Sequence, residues 1–282
     1  MRVLVTGGAG QLGYDVLKRL HQLQIEAIGA DKDEFDILNA SATQEFIAFH
    51  KPDAVIHCAA YTQVDQAEDE PELCKRINIT GTENVAQTCR KIGSNLCYLS
   101  TDYVFDGTSQ SPYEVNDRPN PLSVYGYSKY EGEKITSALM ANHYIVRTSW
   151  LFGSHGHNFV KTMLKLGKSS PSLRVVADQI GSPTYTADLA RFLVDLIQTE
   201  DFGCYHGTNA GFCSWADFAE EVFRQIGWSV TVEHIPSTGY PTKAIRPKNS
   251  RLSKQSIIQA GLSPLPDWKD GLARFLKEIN IV

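Results

Sequence analysis

Two side chains with acid–base potential, Tyr125 and Lys129, are four residues apart in a segment with helical patterning. That spacing places both side chains on one face of a helix. A free tyrosine has a pKa of about 10, and a nearby ammonium group favours the phenolate and lowers that pKa. The pair is therefore a candidate for proton transfer, although a surface tyrosine and lysine are the simpler interpretation of this common spacing alone.

Thr101 adds a hydroxyl group that favours proton transfer as the role of Tyr125 and Lys129. It lies at the end of a predicted strand over residues 96–100 and is followed by Asp102. Ligands of open α/β sheets bind at the carboxyl ends of the strands. We therefore expect the Thr101 hydroxyl to hold a substrate carbonyl oxygen beside Tyr125; the alternative is a hydroxyl that only caps a turn.

A glycine-rich turn follows the first predicted strand, at residues 2–6, and opens a predicted helix at residues 11–24. Glycines let backbone N–H groups approach a pyrophosphate, and the helix N-terminus supplies partial positive charge to it. Asp31 ends the second predicted strand about 20 residues later, where dinucleotide-binding folds place a ribose contact. The pattern predicts a dinucleotide site, and a ligand-free turn is the alternative. The glycines are Gly7, Gly8, Gly10 and Gly13.

The elements that position these residues alternate between short apolar strands and amphipathic helices. This order predicts a doubly wound parallel sheet with helices on both faces, an α/β fold. Ser41 and Gln44 are predicted to form a capping box ahead of one helix. Other predicted strands cover residues 25–30, 54–60 and 144–150, and other predicted helices cover residues 71–92 and 124–140.

The pattern becomes irregular after Trp150, where loops rich in Gly, Pro and Ser separate shorter helices. We predict a dinucleotide-binding domain over residues 1–150 and a smaller, irregular α/β substrate lobe over 151–282, part of which returns to the first domain. The predicted helices of this half cover residues 187–198, 214–226 and 268–279.

Composition excludes several classes of function. The 282 residues carry 27 Lys plus Arg against 32 Asp plus Glu, a net charge of −5 that disfavours general nucleic-acid binding. No apolar run approaches the roughly 18 residues of a membrane span, and the start lacks the apolar core of a signal peptide. Six cysteines without a Cys-x-x-Cys pair predict free thiols. We therefore expect a cytoplasmic protein with no membrane or nucleic-acid partner.

The glycine turn, Thr101 and the Tyr125–Lys129 pair together resemble the extended short-chain dehydrogenase/reductases. Further motifs narrow the resemblance to the dTDP-4-dehydrorhamnose reductase group of that family, from residue 1 nearly to the end. These motifs begin at Leu99, Asn120, Arg147, Asn158, Asp178 and Arg246.

The resemblance implies a Rossmann-type fold and reduction of the C4 keto group of dTDP-4-dehydro-β-L-rhamnose by NADPH, with NADH tolerated. Tyr125 would donate the proton, Lys129 would hold the nicotinamide ribose and lower the pKa of Tyr125, and Thr101 would bind the keto oxygen. The implied cofactor contacts are Gly7, Gly10, Gln11, Leu12, Gly13, Asp31, Asp36, Ile37, Ala59, Ala60, Thr62, Tyr125 and Lys129. The implied substrate contacts are Thr101, Asp102, Trp150, Arg246 and Arg251.

The basic segment 243–251 has two interpretations, of which the simpler is a solvated loop. We expect instead that its arginines bind a diphosphate. Some relatives bridge a homodimer through magnesium, and Asp15 matches one of their acidic positions. Ala187 stands where another carboxylate is expected, so no metal site is predicted and a homodimer stays open. His57, in an apolar strand, is predicted to be a hydrogen-bonded core histidine.

Two other functions remain open on this fold. One is a non-catalytic subunit similar to the regulatory subunit of methionine adenosyltransferase. The other is a nucleotide-sugar epimerase or dehydratase. In similar dehydratases an Asp-Glu pair follows the active-site threonine, whereas here Asp102 is followed by Tyr103. The sequence therefore predicts net reduction without elimination of water.

Overall fold

A six-stranded parallel sheet forms the centre of the computed structural model, which describes residues 1–281. In chain order the strands are β1 (Arg2–Thr6), β2 (Glu26–Ala30), β3 (Ala54–His57), β4 (Asn95–Thr101), β5 (His143–Thr148), β6 (Leu151–Phe152), β7 (Ser172–Val176), β8 (Ile180–Gly181), β9 (Thr184–Tyr185), β10 (Gly203–His206), β11 (Cys213–Ser214) and β12 (Thr231–Ile235). The sheet has the order β10-β5-β4-β3-β1-β2, and its strands run parallel. The predicted doubly wound fold is therefore confirmed.

Helices cover both faces of this sheet, and none within residues 1–281 is both long and apolar enough to cross a bilayer. They are α1 (Gln11–Gln22), α2 (Ala40–His50), α3 (Val64–Ala67), α4 (Pro71–Lys75), α5 (Thr82–Ile92), α6 (Val124–Leu139), α7 (Phe159–Gly167), α8 (Thr186–Leu196), α9 (Trp215–Ile226), α10 (Gln255–Gln259) and α11 (Trp268–Glu278).

Alternation along β1 explains why the sheet is buried on both sides. Val3 and Val5 belong to one apolar cluster, with side chains of α1 and α8, whereas Leu4 belongs to another, with side chains of α2 and α5. All three are fully buried. Successive strand residues face opposite sides, so a strand covered by helices on both sides has to be apolar throughout.

The second half builds a smaller core around Phe152, Phe218 and Phe275. Three short strand pairs surround it, β6 with β9, β7 with β12 and β8 with β11. From this half, β10 leaves to pair with β5 in the central sheet. The division into domains at residue 150 stays a prediction.

Two local predictions need correction. The helix predicted over 71–92 consists of α4, a π-helical segment at Arg76–Gly81 and α5. The capping box at Ser41 and Gln44 is wrong, because α2 begins earlier: the Asn39 side chain accepts the Ala42 N–H at 3.1 Å. Ser41 lies inside the helix and donates to Glu45.

Candidate active site

Parallel pairing brings the predicted site residues to one edge of the sheet. Thr6 lies opposite Ala30 and His57, and Thr101 lies opposite Thr148. The glycine turn and the segments that follow β2, β3, β4 and β5 therefore all emerge at the carboxyl edge, where open α/β sheets bind ligands.

Tyr125 lies in the first turn of α6, which Ser123 caps by accepting the Gly126 N–H at 3.1 Å. A Cβ atom on Gly126 would lie 2.2 Å from the Tyr103 carbonyl oxygen. Only glycine therefore allows α6 to approach the turn after β4 so closely. This approach places Tyr125 near Thr101, the last residue of β4.

Thr101 has the turn-capping role that the sequence offers as an alternative, and its role toward a substrate carbonyl stays a prediction. Its hydroxyl accepts the Tyr103 N–H at 3.2 Å, which caps the short 3₁₀ turn Asp102–Val104, and donates to Asp102 Oδ1 at 3.0 Å. The turn contacts fix the hydroxyl within reach of Tyr125. A capping threonine thus also lies near the candidate proton donor.

Burial dominates the electrostatics of the pair. It raises the pKa of Tyr125 above its ordinary value, and the nearby Asp102 carboxylate raises it further. Lys129 is 3% exposed, its Nζ lies 4.1 Å from the centre of the Tyr98 ring, and burial lowers its pKa to about 7. Before ligands bind, a tyrosine that keeps its proton at neutral pH is suited to donate it.

Asp102 is buried with this cluster and is 3% exposed. Burial raises its pKa to about 6, while the nearby Ser250 and Thr101 hydroxyls lower it. A carboxylate poised this close to neutral pH can accept a hydrogen bond from a sugar hydroxyl in a dry site.

The glycine turn is a cradle without room for side chains. A Cβ atom on Gly13 would lie 2.1 Å from the Gly7 carbonyl oxygen, and one on Gly7 would lie 2.8 Å from the Ala59 nitrogen. Gly10, at the N-cap of α1, brings no side-chain cap, so the first N–H groups of the helix stay available to a phosphate. Asp31 is drawn into the same turn, where Oδ2 accepts the Ala9 N–H at 2.7 Å.

The other predicted cofactor residues lie at the start of α1 and in the segments after β2 and β3. Leu12 packs its side chain in the core and can offer only backbone, whereas Gln11 accepts the Asn158 side-chain N–H at 2.9 Å. Asp36 accepts the Leu38 N–H at 2.9 Å in the segment after β2, and the Ile37 carbonyl accepts a hydrogen bond from Asn84. Ala59, Ala60 and Thr62 follow β3.

His57 is the hydrogen-bonded core histidine that the sequence predicts. It is 1% exposed, and its two ring nitrogens lie 2.6 Å from Thr6 Oγ1 and 3.3 Å from Thr82 Oγ1. Burial lowers its pKa to about 3, so the ring is neutral at physiological pH.

Trp150 leaves β5 with a left-handed φ of 50° and stacks on Trp215, with ring centres 3.6 Å apart. A Cβ atom on Gly181 would lie 2.6 Å from the indole, so this glycine gives the ring its space. Trp215 was not among the sequence candidates, because its contact with Trp150 crosses a long stretch of chain.

The basic segment is solvated only in part: the Lys243 and Lys248 side chains are 61% and 70% exposed, whereas that of Arg246 is 28% exposed. Arg246 Nη2 lies 2.5 Å from Asp65 Oδ2, Nη1 lies 3.5 Å from the Tyr103 hydroxyl, and Lys248 pairs with Asp178 at 3.6 Å. The structure therefore brings Arg246 to the turn that follows Thr101. Arg251 is held elsewhere, by the Gln110 carbonyl at 2.7 Å and by Asn249.

Asp15, the position that some relatives use for magnesium, is 2% exposed and accepts a hydrogen bond from the Thr186 hydroxyl. Ala187 follows directly, without a carboxylate.

Comparison with known proteins decides the family. The sequence profile described as "RmlD substrate binding domain" matches residues 1–281. The chain is 41% identical over 285 residues to the dTDP-4-dehydrorhamnose reductase of Aggregatibacter actinomycetemcomitans, covering 96% of this chain and 97% of that protein. The chain belongs to the dTDP-4-dehydrorhamnose reductase family. The Escherichia coli K12 member is 36% identical and covers 99% of this chain and 98% of its own length.

Solved structures of the dTDP-4-dehydrorhamnose reductase family share the whole fold. The Clostridium acetobutylicum member superposes with a TM-score of 0.97 at 41% identity, covering 99% of this chain and 100% of that one. The Bacillus anthracis member, solved in complex with NADP, gives 0.96 at 43% identity, covering 98% and 99%. A UDP-glucose 4-epimerase of Thermus thermophilus, at 20% identity, shows the shared fold alone.

Proposed function

We propose that the protein reduces the C4 keto group of dTDP-4-dehydro-β-L-rhamnose with NADPH, giving dTDP-β-L-rhamnose. The observation that carries this proposal is the cluster of Thr101, Tyr125 and Lys129 at the ligand-binding edge of the sheet, in a chain of this family. A non-catalytic subunit has no need for a buried lysine beside a protonated tyrosine.

Each residue of the cluster has a separate task. Bound NADPH supplies the hydride to C4. Tyr125 donates its proton to the oxygen that becomes the new hydroxyl, and the Thr101 hydroxyl holds that oxygen in place. Lys129 binds the nicotinamide ribose. Arg246, at the edge of the same turn, exchanges Asp65 for the substrate diphosphate.

The cofactor fits the residues that are present. The clearance at Gly7 and Gly13 leaves backbone where a pyrophosphate binds, and the uncapped start of α1 faces it. Gly10, Gln11 and Leu12 would meet the pyrophosphate, Asp36 and Ile37 the adenine, and Ala59, Ala60 and Thr62 the middle of the cofactor.

Incubation with dTDP-4-dehydrorhamnose and excess NADPH is expected to consume one NADPH per product. Elimination of water needs a base beside Asp102, but burial raises the pKa of Tyr103 to about 12, so that side chain is a poor base at neutral pH. The measurement is loss of NADPH absorbance against product from chromatography. Product formed at constant absorbance would indicate an epimerase or dehydratase, and no product at all would favour the regulatory subunit.

NADPH is expected to support turnover, with NADH tolerated. The Asp31 carboxylate is held in the glycine turn and favours a ribose hydroxyl over a 2′-phosphate, while Lys32 beside it offsets the charge. Arg2 does not offset the charge of Asp31, because it hydrogen-bonds to Glu26 and to the His50 carbonyl at the other end of β1.

Asp31→Asn keeps an acceptor for the Ala9 N–H and removes the charge. The ratio of kcat/KM for NADPH to that for NADH should therefore rise several-fold, on the order of 1 kcal/mol. Asp33→Asn, an exposed neighbour, is the control. Oxidation of NADH alone by the unaltered protein, even at high NADPH, would contradict the cofactor assignment.

A second substrate is supported by one relative. The dTDP-4-keto-6-deoxy-D-glucose reductase of Streptomyces niveus is 35% identical over 281 residues, covering 99% of this chain and 98% of that protein. Both candidate substrates carry a C4 keto group on a dTDP-sugar. Assay of the two side by side, with the product configuration read by NMR, separates them. A cytoplasmic location and a homodimer stay predictions.

A further inference from the structure

A buried ion pair lies directly behind the catalytic cluster. Glu133 on α6 is 4% exposed and Arg147 on β5 is 5% exposed. The guanidinium binds the carboxylate with two donors, Nε to Oε1 at 2.8 Å and Nη2 to Oε2 at 2.7 Å. The Ser100 hydroxyl donates to the same Oε1 at 2.5 Å. A buried ion pair adds little to stability compared with apolar side chains, so its presence here calls for another reason.

The geometry joins this pair to the catalytic residues on two sides. Tyr125, Lys129 and Glu133 follow one another at four-residue intervals and form one stripe along α6. Ser100 immediately precedes Thr101 on β4, and it lies opposite Arg147 in the sheet. The Glu133 carboxylate thus fastens the helix that carries Tyr125 and Lys129 to the strand that carries Thr101.

Within residues 1–281, Glu133 is also the one carboxylate that raises the pKa of Lys129. The Tyr98 ring lies under the ammonium group, and burial keeps Tyr98 protonated. The other titratable neighbours of Lys129 are neutral at physiological pH: His57, Cys58, Cys74 and Tyr125.

Around Glu133 the charges are equally few. Arg147 is the cation, and His206 lies 3.5 Å from its Nη1 on β10, with a pKa well below the ordinary value because of burial. The remaining titratable groups near the pair are Tyr98, Tyr130 and Cys204, and burial raises the pKa of Tyr98 and that of Cys204.

We propose that Glu133 is a positioning residue for the reaction: it clamps α6 to β4 and places its negative charge one helical turn from Lys129. The inference rests on the proposed role of Lys129. Arg147 completes the device, because its two hydrogen bonds hold the carboxylate at a fixed place.

The decisive variant is Glu133→Gln, which keeps the shape and can still accept from Ser100, but removes the charge. Loss of a nearby negative charge lowers the pKa of a lysine, so the protonated form is lost at lower pH. The alkaline limb of the pH profile of kcat/KM should therefore move to lower pH by roughly one unit, a tenfold loss of activity on that limb. Ser100→Ala, which removes a hydroxyl without altering charge, should leave the limb in place.

A second readout does not depend on turnover. In the protein without ligands, ¹³Cε-lysine NMR should show two resonances that titrate near neutral pH, because burial lowers the pKa of Lys254 to about 7 as it does that of Lys129. The Lys129 resonance is the one that is absent in Lys129→Met. Its midpoint should fall in Glu133→Gln and stay in Glu133→Asp, which keeps the charge. If Glu133→Gln fails to fold, Glu133→Gln with Arg147→Gln leaves no unpaired buried guanidinium, and the midpoint should still fall.

If the lysine titration midpoint and the alkaline limb of the pH profile stayed unchanged in Glu133→Gln while activity fell equally at every pH, the role of Glu133 would be structural only. A protein that consumes no NADPH with either dTDP-keto sugar, yet shows the shifted lysine midpoint, would refute the proposed function and leave the electrostatic role of Glu133 intact.

Discussion

Tyr125→Phe is expected to lose about 10²–10⁴-fold in turnover, the usual contribution of general acid catalysis. The substitution keeps the ring, which packs edge-on against Tyr103 with centres 5.7 Å apart, and removes only the hydroxyl. Cofactor binding should persist, because the glycine cradle and Lys129 are untouched. Steady-state NADPH oxidation gives kcat, and fluorescence titration gives the cofactor affinity.

Tyr127→Phe is the matched control for this experiment. It lies on the same helix, two residues further on, and is 45% exposed. Its hydroxyl should be dispensable. Equal turnover of Tyr125→Phe and the unaltered protein would remove Tyr125 from the chemistry, whereas equal losses in both variants would indicate damage to α6.

Gly13→Ala is expected to abolish measurable cofactor binding and to destabilise the fold. The added Cβ atom would lie 2.1 Å from the Gly7 carbonyl oxygen and 2.9 Å from the Gly8 Cα, which are backbone atoms that cannot rotate away. Overpacking of this kind costs about 1–3 kcal/mol or more, and relief of the clash requires the turn that cradles the pyrophosphate to move. Calorimetric titration with NADPH and thermal unfolding measure the two effects.

Gly239→Ala provides the comparison, because its new methyl group would meet nothing closer than 3.7 Å. This variant should bind NADPH as the unaltered protein does. Normal binding by Gly13→Ala would mean that the turn has more freedom than its contacts indicate, and the placement of the pyrophosphate there would have to be abandoned.

Sequence patterns predicted most of the features that depend on neighbouring residues alone. The apolar strands, the glycine turn and the one-turn spacing of Tyr125 and Lys129 depend on a few neighbouring residues, and the parallel sheet follows from their order. Thr101 could be placed at the sheet edge because it follows a buried strand. The capping box failed because Asn39, two residues before Ser41, had already started the helix.

Contacts between residues that are far apart in the chain could not be predicted from the sequence. Nothing in the spacing of residues joins Arg246 to Asp65 or Trp150 to Trp215. The direction of the Tyr125 pKa shift also depends on the surroundings: the sequence predicts that Lys129 lowers this pKa, but burial in the folded site raises it. Desolvation is a property of the folded site and is not encoded in any one motif.

The pairing of β10 with β5 affects how the chain folds during its synthesis. Strand β10 pairs with β5, and Ile257 and Leu265 enter the core beneath the sheet, although all three belong to the last third of the chain. On the ribosome, the first five strands emerge long before this partner does, and β5 then presents an open edge that invites pairing with other chains. Long-range completion of a sheet also slows folding. The central sheet therefore cannot be completed until the last third of the chain has been made, and a chain released after residue 150 would be prone to aggregate.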